Sequence, residues 1–361
     1  MKTNKAIQIN GRTAWIDAAK CIGILFVLMA HAQLQIPFLS DYAVYFYVPI
    51  FFVLAGFTYH AKEESYAHFC KRKARRLLLP YFGYSLFLYA CFVIKDCILS
   101  RPTMTQVIQP LVGILYSRNC FYPLGSADNP TIMTIWNAPL WFLTALFLSY
   151  LLFELGMRIT KRQSHRMLLY TIGCVGVGIL IHDTCKILLP WSLDSVFLLE
   201  SLLAFGYWLQ QSKFFTKPRV QTSGYFKIAV VIVLLLLPFT MMWNGKPNLS
   251  VGEYGRSVLL GLFNMAVTSV SVLTLCYLAR NQIGAGLAYI GQSALTIMSM
   301  HMFLFMFLQG GFRLFGDHIM EGNGTLAVLC QTGMVCASLA ILTIVDLCCH
   351  ALGKEHLCRK G

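Results

Sequence analysis

The chain has 361 residues, of which 57% are apolar and only 12% are charged. A soluble globular domain carries about 25% charged residues, so this composition excludes an ordinary soluble enzyme. The high content of large apolar side chains also excludes a disordered chain. We therefore predict a polytopic membrane protein, because a bilayer-spanning helix needs about 20 mostly apolar residues and the sequence contains many such runs.

The apolar runs predict an all-α bundle of about ten transmembrane helices, formed by a single domain over residues 1–361. The first run resembles a signal peptide that ends at Ala30-His31-Ala32, but it continues through Ile36 to Phe38, which favours an uncleaved span. Pro49 and Gly206 interrupt two of the runs, which membrane helices tolerate when neighbouring groups satisfy the backbone. The runs lie at residues 21–38, 42–60, 77–99, 136–157, 167–185, 188–210, 226–243, 257–279, 285–308 and 325–347.

The distribution of basic residues predicts the orientation of the bundle. Lys and Arg accumulate in short cytoplasmic loops. If the N-terminus is cytoplasmic, 22 of the 29 Lys and Arg residues fall on the inner side. We therefore predict that both termini are cytoplasmic. Topology then accounts for the net charge of +14, and no nucleic-acid partner is expected.

Residues 100–135 form the longest predicted connection between spans, and it faces outward in this topology. It contains Arg118 and Asp128 among Pro and Gly residues. A loop of this length is too long for a simple connector. Either it covers a site on the outer face and contacts an acceptor there, or it is a re-entrant structural loop.

The cysteines do not predict a disulfide framework, since the thirteen are scattered mostly within apolar runs. A tail cluster has the residue types of a metal site without a recognised ligand spacing, so no metal is expected. This cluster consists of Cys348, Cys349, His350, His356 and Cys358.

Ionisable residues in the first and ninth runs are the first candidates for chemistry, because such residues are costly in a membrane and usually face the bundle interior. Asp17 and His31 are 14 positions apart, which places them about 40° apart around a helix and about 21 Å apart along it. Lys20 lies on the same stripe. His31 suits general-base work because its ordinary pKa lies near neutrality, whereas the alternative is a histidine that holds helices together. The same two alternatives apply to His301 in the ninth run.

A basic cluster, residues 71–76, immediately precedes the third run. In a helix, Arg72 and Arg75 would share one face, as would Lys73 and Arg76. Such pairs bind phosphate groups well. The alternative is a cluster that fixes topology and contacts anionic lipid.

Five segments, in order along the chain, resemble the acyltransferase-3 family of bacterial integral membrane O-acyltransferases, and most closely its fucose 4-O-acetylase-like branch. Lys20 and His31 match the basic residue, ten intervening residues and histidine of the family's first helix. The second segment is similar except at Ala55, where the family usually has Ser. The basic cluster resembles the family's R-x-x-R element, for which two pairs compete, Arg72 with Arg75 or Lys73 with Arg76. The segments are residues 12–20, 49–56, 71–81, 139–143 and 290–301.

This resemblance implies an O-acetyltransferase in the bacterial inner membrane. It would move an acyl group, usually acetyl, from cytoplasmic acetyl-CoA to a hydroxyl of a cell-envelope glycan or a lipid-linked sugar. No bound cofactor is implied, since acetyl-CoA is the donor substrate. The bilayer and the glycan acceptor are the other expected partners.

Specific roles follow from the same resemblance. His31 would be the catalytic base or an acyl relay, with Asp17, Lys20 and His301 in support. We expect the basic cluster to hold the coenzyme A phosphates, through the residues Arg72, Arg75 and Arg76. The alternative function is a transporter or flippase for a glycolipid or organic ion, in which the His31 stripe would conduct protons.

Overall fold

A computed structural model of the protein shows a helical architecture with two short antiparallel ladders, Gln8–Ile9 with Arg12–Thr13 and Cys120–Phe121 with Thr131–Ile132. The structure describes residues 8–9, 12–99, 102–118, 120–121, 131–132, 138–185, 187–215, 232, 236–313 and 324–358. The helices are α1 (Ala14–His31), α2 (Leu39–Ala43), α3 (Pro49–Phe57), α4 (Tyr66–Leu99), α5 (Met104–Tyr116), α6 (Trp141–Ile159), α7 (Ser164–Thr184), α8 (Leu193–Gln211), α9 (Val258–Leu278), α10 (Ala285–Gln292), α11 (Ala294–Arg313) and α12 (Thr325–Cys358). Residues 236–244 are also helical.

In the described part of the chain, eight helices are long and apolar enough to cross a membrane. They overlap eight of the ten predicted runs, and they are α1, α4, α6, α7, α8, α9, α11 and α12. Of the other two runs, 226–243 lies half outside the described residues.

The run at 42–60 is divided rather than forming one helix. Turn residues follow α2, and α3 begins at Pro49 and ends at Phe57, a length of nine residues. Proline lacks the N–H that a helix interior needs, but the first helical position leaves that N–H without a partner in any case. A nine-residue helix is about 14 Å long, too short for a hydrocarbon core of about 30 Å.

The first helix also differs from its predicted bounds. It begins earlier, at Ala14, and ends at His31 instead of continuing to Phe38. Gln33 then adopts a left-handed backbone with φ of 58°, which an α-helix does not accommodate. His31 is therefore the last residue of its helix.

The chain divides into two compact units. Unit 1 combines residues 1–50 with residues 268–361. In it α1 packs against α10, α11 and α12. At Gly291 in α10 a side-chain carbon would collide with the backbone of Asp17 in α1, so the glycine is what lets the two helices approach.

Unit 2 contains residues 51–267, and its core includes the packing of α8 on α6 and α7. Two glycines allow the backbones of α3 and α8 to approach closely where the helices cross. A Cβ atom on Gly56 would overlap the Leu203 carbonyl, and one on Gly206 would overlap the Val53 carbonyl. Small residues of this kind allow helix backbones to approach closely in membranes. Gly206 therefore lies at a helix contact, and α8 continues through it without interruption.

Candidate active site

His31 lies at the C-terminal end of α1, and its side chain is exposed. The centroid of its ring is 5.1 Å from that of His301 in α11, with the two ring planes tilted by 46°. The structure therefore brings together two histidines that are far apart in the sequence. An accessible imidazole of this kind has the chemistry of a proton acceptor.

His301 is fully buried, in contrast to His31. Its Nδ1 lies 3.0 Å from the Ile297 carbonyl oxygen. Because a carbonyl oxygen only accepts hydrogen bonds, Nδ1 is the protonated nitrogen and donates to it. Its Nε2 has no hydrogen-bond partner among the described residues. The Phe305 ring packs edge-on against the His301 ring at 5.6 Å.

Asp17 and Lys20 form an ion pair near the other end of α1. Lys20 Nζ lies 2.7 Å from Asp17 Oδ1, and the Gln292 side-chain amide donates to Asp17 Oδ2 at 3.2 Å. The Asp17 side chain is buried, whereas that of Lys20 is 28% exposed. Fourteen residues of helix separate Asp17 from His31 by about 21 Å. Asp17 therefore anchors α1 to α10, and both Asp17 and Lys20 are distant from the histidine pair.

The basic cluster lies on the first turns of α4, so the helical condition for its paired faces is met. Arg75 and Arg76 are exposed. Arg72 forms a two-pronged ion pair with Glu64 through Nε and Nη2, and its side chain remains 33% exposed. Three arginines therefore present accessible cationic groups at this end of α4.

Lys73 does not share that exposed surface. Its side chain is buried, and its Nζ lies 3.1 Å from the centroid of the Tyr150 ring in α6. An ammonium over an aromatic face is stabilised by the ring quadrupole. Lys73 therefore joins α4 to α6, and of the two predicted cation pairs only Arg72 with Arg75 has both members accessible.

An acidic network that sequence reasoning missed supports the basic cluster. Glu154 in α6 is buried, accepts a hydrogen bond from the Tyr59 hydroxyl, and pairs with Arg158 at 2.7 Å. Arg158 also donates to the Glu64 carbonyl oxygen at 2.7 Å. Burial and the hydrogen bond to Glu154 raise the pKa of Tyr59 above its ordinary value. The hydrogen bonds from Arg72 lower the pKa of Glu64.

One feature of the sequence would have found Glu154. It is an acidic residue within the predicted apolar run 136–157, and an ionisable group in a membrane span is a functional candidate by default. Its partners Tyr59 and Arg158 come from different segments of the chain, so their contact required the structure.

Arg118, in the segment predicted to contact an acceptor, is almost completely buried. Its guanidinium pairs with both carboxylate oxygens of Asp194 at 2.5 and 2.6 Å. It also donates to the Ser250 carbonyl oxygen at 2.7 Å and to the Leu189 carbonyl oxygen at 3.3 Å. Arg118 therefore ties three connections of unit 2 together, and residues 100–101, 119, 122–130 and 133–135 of that segment lie outside the described part.

The predicted tail cluster is described only in part. Cys348, Cys349 and His350 are exposed on α12, whereas the side chains of His356 and Cys358 lie outside the described residues. Within the described residues, no group of three or more His, Cys, Asp or Glu side chains is arranged to hold a metal ion.

The helices and the sites together define a class, that of a multi-pass membrane protein with ionisable groups on its spanning helices. A model of the acyltransferase-3 family, described as an acyltransferase domain, matches residues 13–345. The chain therefore belongs to this family and is a membrane acyltransferase. No curated protein and no solved structure gives a significant match.

Proposed function

We propose that this acyltransferase moves an acetyl group from cytoplasmic acetyl-CoA to a hydroxyl of a cell-envelope glycan or lipid-linked sugar, with His31 as the general base. The observation that carries the proposal is the His31 imidazole, which is exposed at the end of a spanning helix and adjoins the buried His301. An acyl transfer to a hydroxyl needs a proton acceptor of this kind.

In the proposed reaction His31 accepts one proton from the acceptor hydroxyl and then gives one proton to the leaving thiolate. His31 takes the proton of the acceptor hydroxyl as its oxygen attacks the thioester carbonyl carbon. The oxygen–carbon bond forms, the carbon–sulfur bond breaks, and the leaving coenzyme A thiolate takes the proton back from His31. The products are an acetyl ester and free coenzyme A, and the histidine returns to its starting state.

The basic cluster is our proposed site for the coenzyme A phosphates. Arg75 and Arg76 are exposed, and the Arg72 guanidinium keeps Nη1 for a further acceptor because Glu64 occupies Nε and Nη2. Guanidinium groups bind phosphate oxygens with paired N–H donors.

The proposed topology has both termini in the cytoplasm and the chain in a bacterial inner membrane. Contacts within unit 2 support it, because segments assigned to one side meet one another. On the proposed inner side, Arg158 and Arg162 donate to backbone carbonyls of Glu64 and Lys62. On the proposed outer side, Arg118 joins the segments that contain Leu189 and Ser250. With Asp17 near the inner end of α1, His31 would then lie towards the outer side, and the acetyl group would cross most of the membrane.

The test is acetyl transfer in membrane vesicles, with labelled acetyl-CoA supplied on the cytoplasmic side and envelope glycan as the acceptor. We expect His31→Ala to lower the rate by about 100-fold or more, the contribution typical of a general base. His60→Ala is the matched control, because His60 is exposed and its ring bonds to the Thr58 carbonyl of its own turn. A His31→Ala rate equal to that of native protein would refute the assignment of the base.

Two further measurements separate the parts of the proposal. Arg75→Gln should raise the KM for acetyl-CoA with little change in kcat, and unchanged donor KM would exclude Arg75 from the donor site. Protein denatured and desalted rapidly at neutral pH should carry no acetyl label, whereas label bound covalently to His31 would replace the base with an acyl relay. Failure of the native protein to release coenzyme A with any envelope glycan would favour the transporter alternative.

A further inference from the structure

His301 has a buried polar atom, Nε2, that takes no part in the proton transfers of the proposed reaction. Its Nδ1 is committed to the Ile297 carbonyl, so its Nε2 is the unprotonated nitrogen and acts as an acceptor. That acceptor is buried and has no partner among the described residues. Buried polar groups are nearly always hydrogen-bonded, and an exception calls for an explanation.

Two aromatic rings pack against His301 among the described residues, and they differ in whether they can donate a hydrogen bond. Phe305 packs on it and has no polar hydrogen to give. His31 is the other ring, and a neutral imidazole carries one N–H. Ring centroids 5.1 Å apart leave room for a hydrogen bond between ring nitrogens when the two rings meet edge to edge. The contact requires a rotation of the exposed His31 ring, because the two ring planes are tilted by 46°.

We propose that His301 is the positioning residue of this enzyme, and that its Nε2 accepts the N–H of His31. This proposal rests on the proposed function, in which His31 is the base. The hydrogen bond fixes which nitrogen of His31 carries the proton, so the other nitrogen is left with its lone pair free for the acceptor hydroxyl. His301 forms no bond to substrate and acts only through His31.

The same bond supports the charged form of His31. When His31 takes the proton of the acceptor hydroxyl, both of its nitrogens carry hydrogen, and His301 holds one of these N–H groups in place. The other N–H is then directed at the sulfur that leaves. A carboxylate performs this orienting role in many histidine-based sites, whereas here a neutral imidazole does so in a fully buried position.

Two substitutions at His301 separate positioning from packing. In His301→Gln the side-chain carbonyl oxygen reaches the place of Nε2 and keeps an acceptor there. In His301→Asn the shorter amide keeps a donor near the Ile297 carbonyl and loses the acceptor. We expect the Asn variant to lower kcat roughly 10- to 100-fold, the loss typical of one hydrogen bond to a charged group. The KM for acetyl-CoA should stay the same, and His301→Gln should recover most of the lost kcat.

A spectroscopic measurement tests the contact directly. Nitrogen-15 chemical shifts of labelled His31 distinguish its two neutral tautomers, and we expect one tautomer in the native protein and a mixture in His301→Asn. Equal kcat values for native and Asn proteins would overturn the proposal. Equal losses in Asn and Gln with an unchanged His31 spectrum would also overturn it, because that result indicates packing alone.

The activity of His31→Ala shows whether a failure concerns the role of His301 alone or the proposed function as well. If His31→Ala transfers label as native protein does, the base assignment fails and the positioning role fails with it. If His31→Ala is inactive while His301→Asn matches native protein, the base assignment stands and only the role of His301 is overturned. Unfolding curves in detergent for each variant show whether a loss comes from misfolding.

Discussion

Replacement of Arg118 by Met should destabilise unit 2 more than loss of any surface charge. The methionine keeps an apolar stem and removes the cation, so the largely buried Asp194 carboxylate loses its charged partner. Its remaining donors are the Leu189 N–H and the Ser195 hydroxyl, both at 3.0 Å. Removing one member of a buried ion pair typically costs about 3–5 kcal/mol, because the other charge stays buried. We expect a loss of this size in the free energy of unfolding.

The assay is reversible denaturant titration of purified protein in mixed micelles, followed by tryptophan fluorescence. Lys95→Met is the matched control, because Lys95 pairs with Asp96 at 2.9 Å and both side chains are more than a third exposed. An exposed pair contributes about 0–1 kcal/mol. If Arg118→Met and Lys95→Met cost the same, the buried pair contributes no more to the stability of the fold than an exposed pair does.

A double-mutant cycle sharpens the result. Asp194→Asn alone leaves the Arg118 cation buried without its carboxylate, so it should also be costly. The double variant Arg118→Met, Asp194→Asn should cost less than the sum of the two single changes, because neither charge is then stranded. Strict additivity would show that the two side chains act independently.

The remaining predictions concern a helix crossing and an ion pair. Gly56→Ala should destabilise the fold by about 1–3 kcal/mol, because its Cβ meets the rigid Leu203 carbonyl. Gly83→Ala should instead stabilise α4 by about 0.5–1 kcal/mol, because nothing lies within 4 Å of the added carbon. Unfolding titrations that rank the two variants in the opposite order would contradict the packing. Glu64 has a lowered pKa, so its pair with Arg72 contributes stability above the ordinary value of 4.5 and loses it as the pH falls through the lowered pKa. The stability difference between native protein and Glu64→Gln should therefore be present at pH 7 and vanish in acid, and a difference independent of pH would refute it.

The sequence was sufficient for the class of fold because each spanning helix is a long apolar run, and that property is local. It was insufficient at residues 42–60, where composition indicates a span but Pro49 begins a new helix. Proline is compatible with either outcome, and the choice depends on which groups satisfy the backbone around it. The end of α1 at His31 similarly depends on the turn that follows.

The candidate site shows the same division between local and distant information. The spacing of the cations in residues 71–76 indicated which of them would share a face if the segment were helical, but which cations are accessible depends on Glu64 and Tyr150. His31 and His301 were each identifiable as ionisable groups in apolar runs. Their contact was not identifiable, because the two residues lie in separate helices and no sequence periodicity relates them. Their ring centroids come to 5.1 Å from each other only when the helices pack.

Unit 1 combines two segments that are far apart in the sequence, and this has a consequence for biosynthesis. Asp17 accepts a hydrogen bond from the Gln292 amide, which is 275 positions later in the sequence. Ribosomes add roughly 5–20 residues per second. The first helix therefore waits roughly 14–55 s for the helices that complete its surroundings. During that time Lys20 is the partner within its own helix for the Asp17 carboxylate. A nascent chain released before α10 emerges would leave α1 without its packing surface, and such chains should be preferred substrates of membrane quality-control proteases.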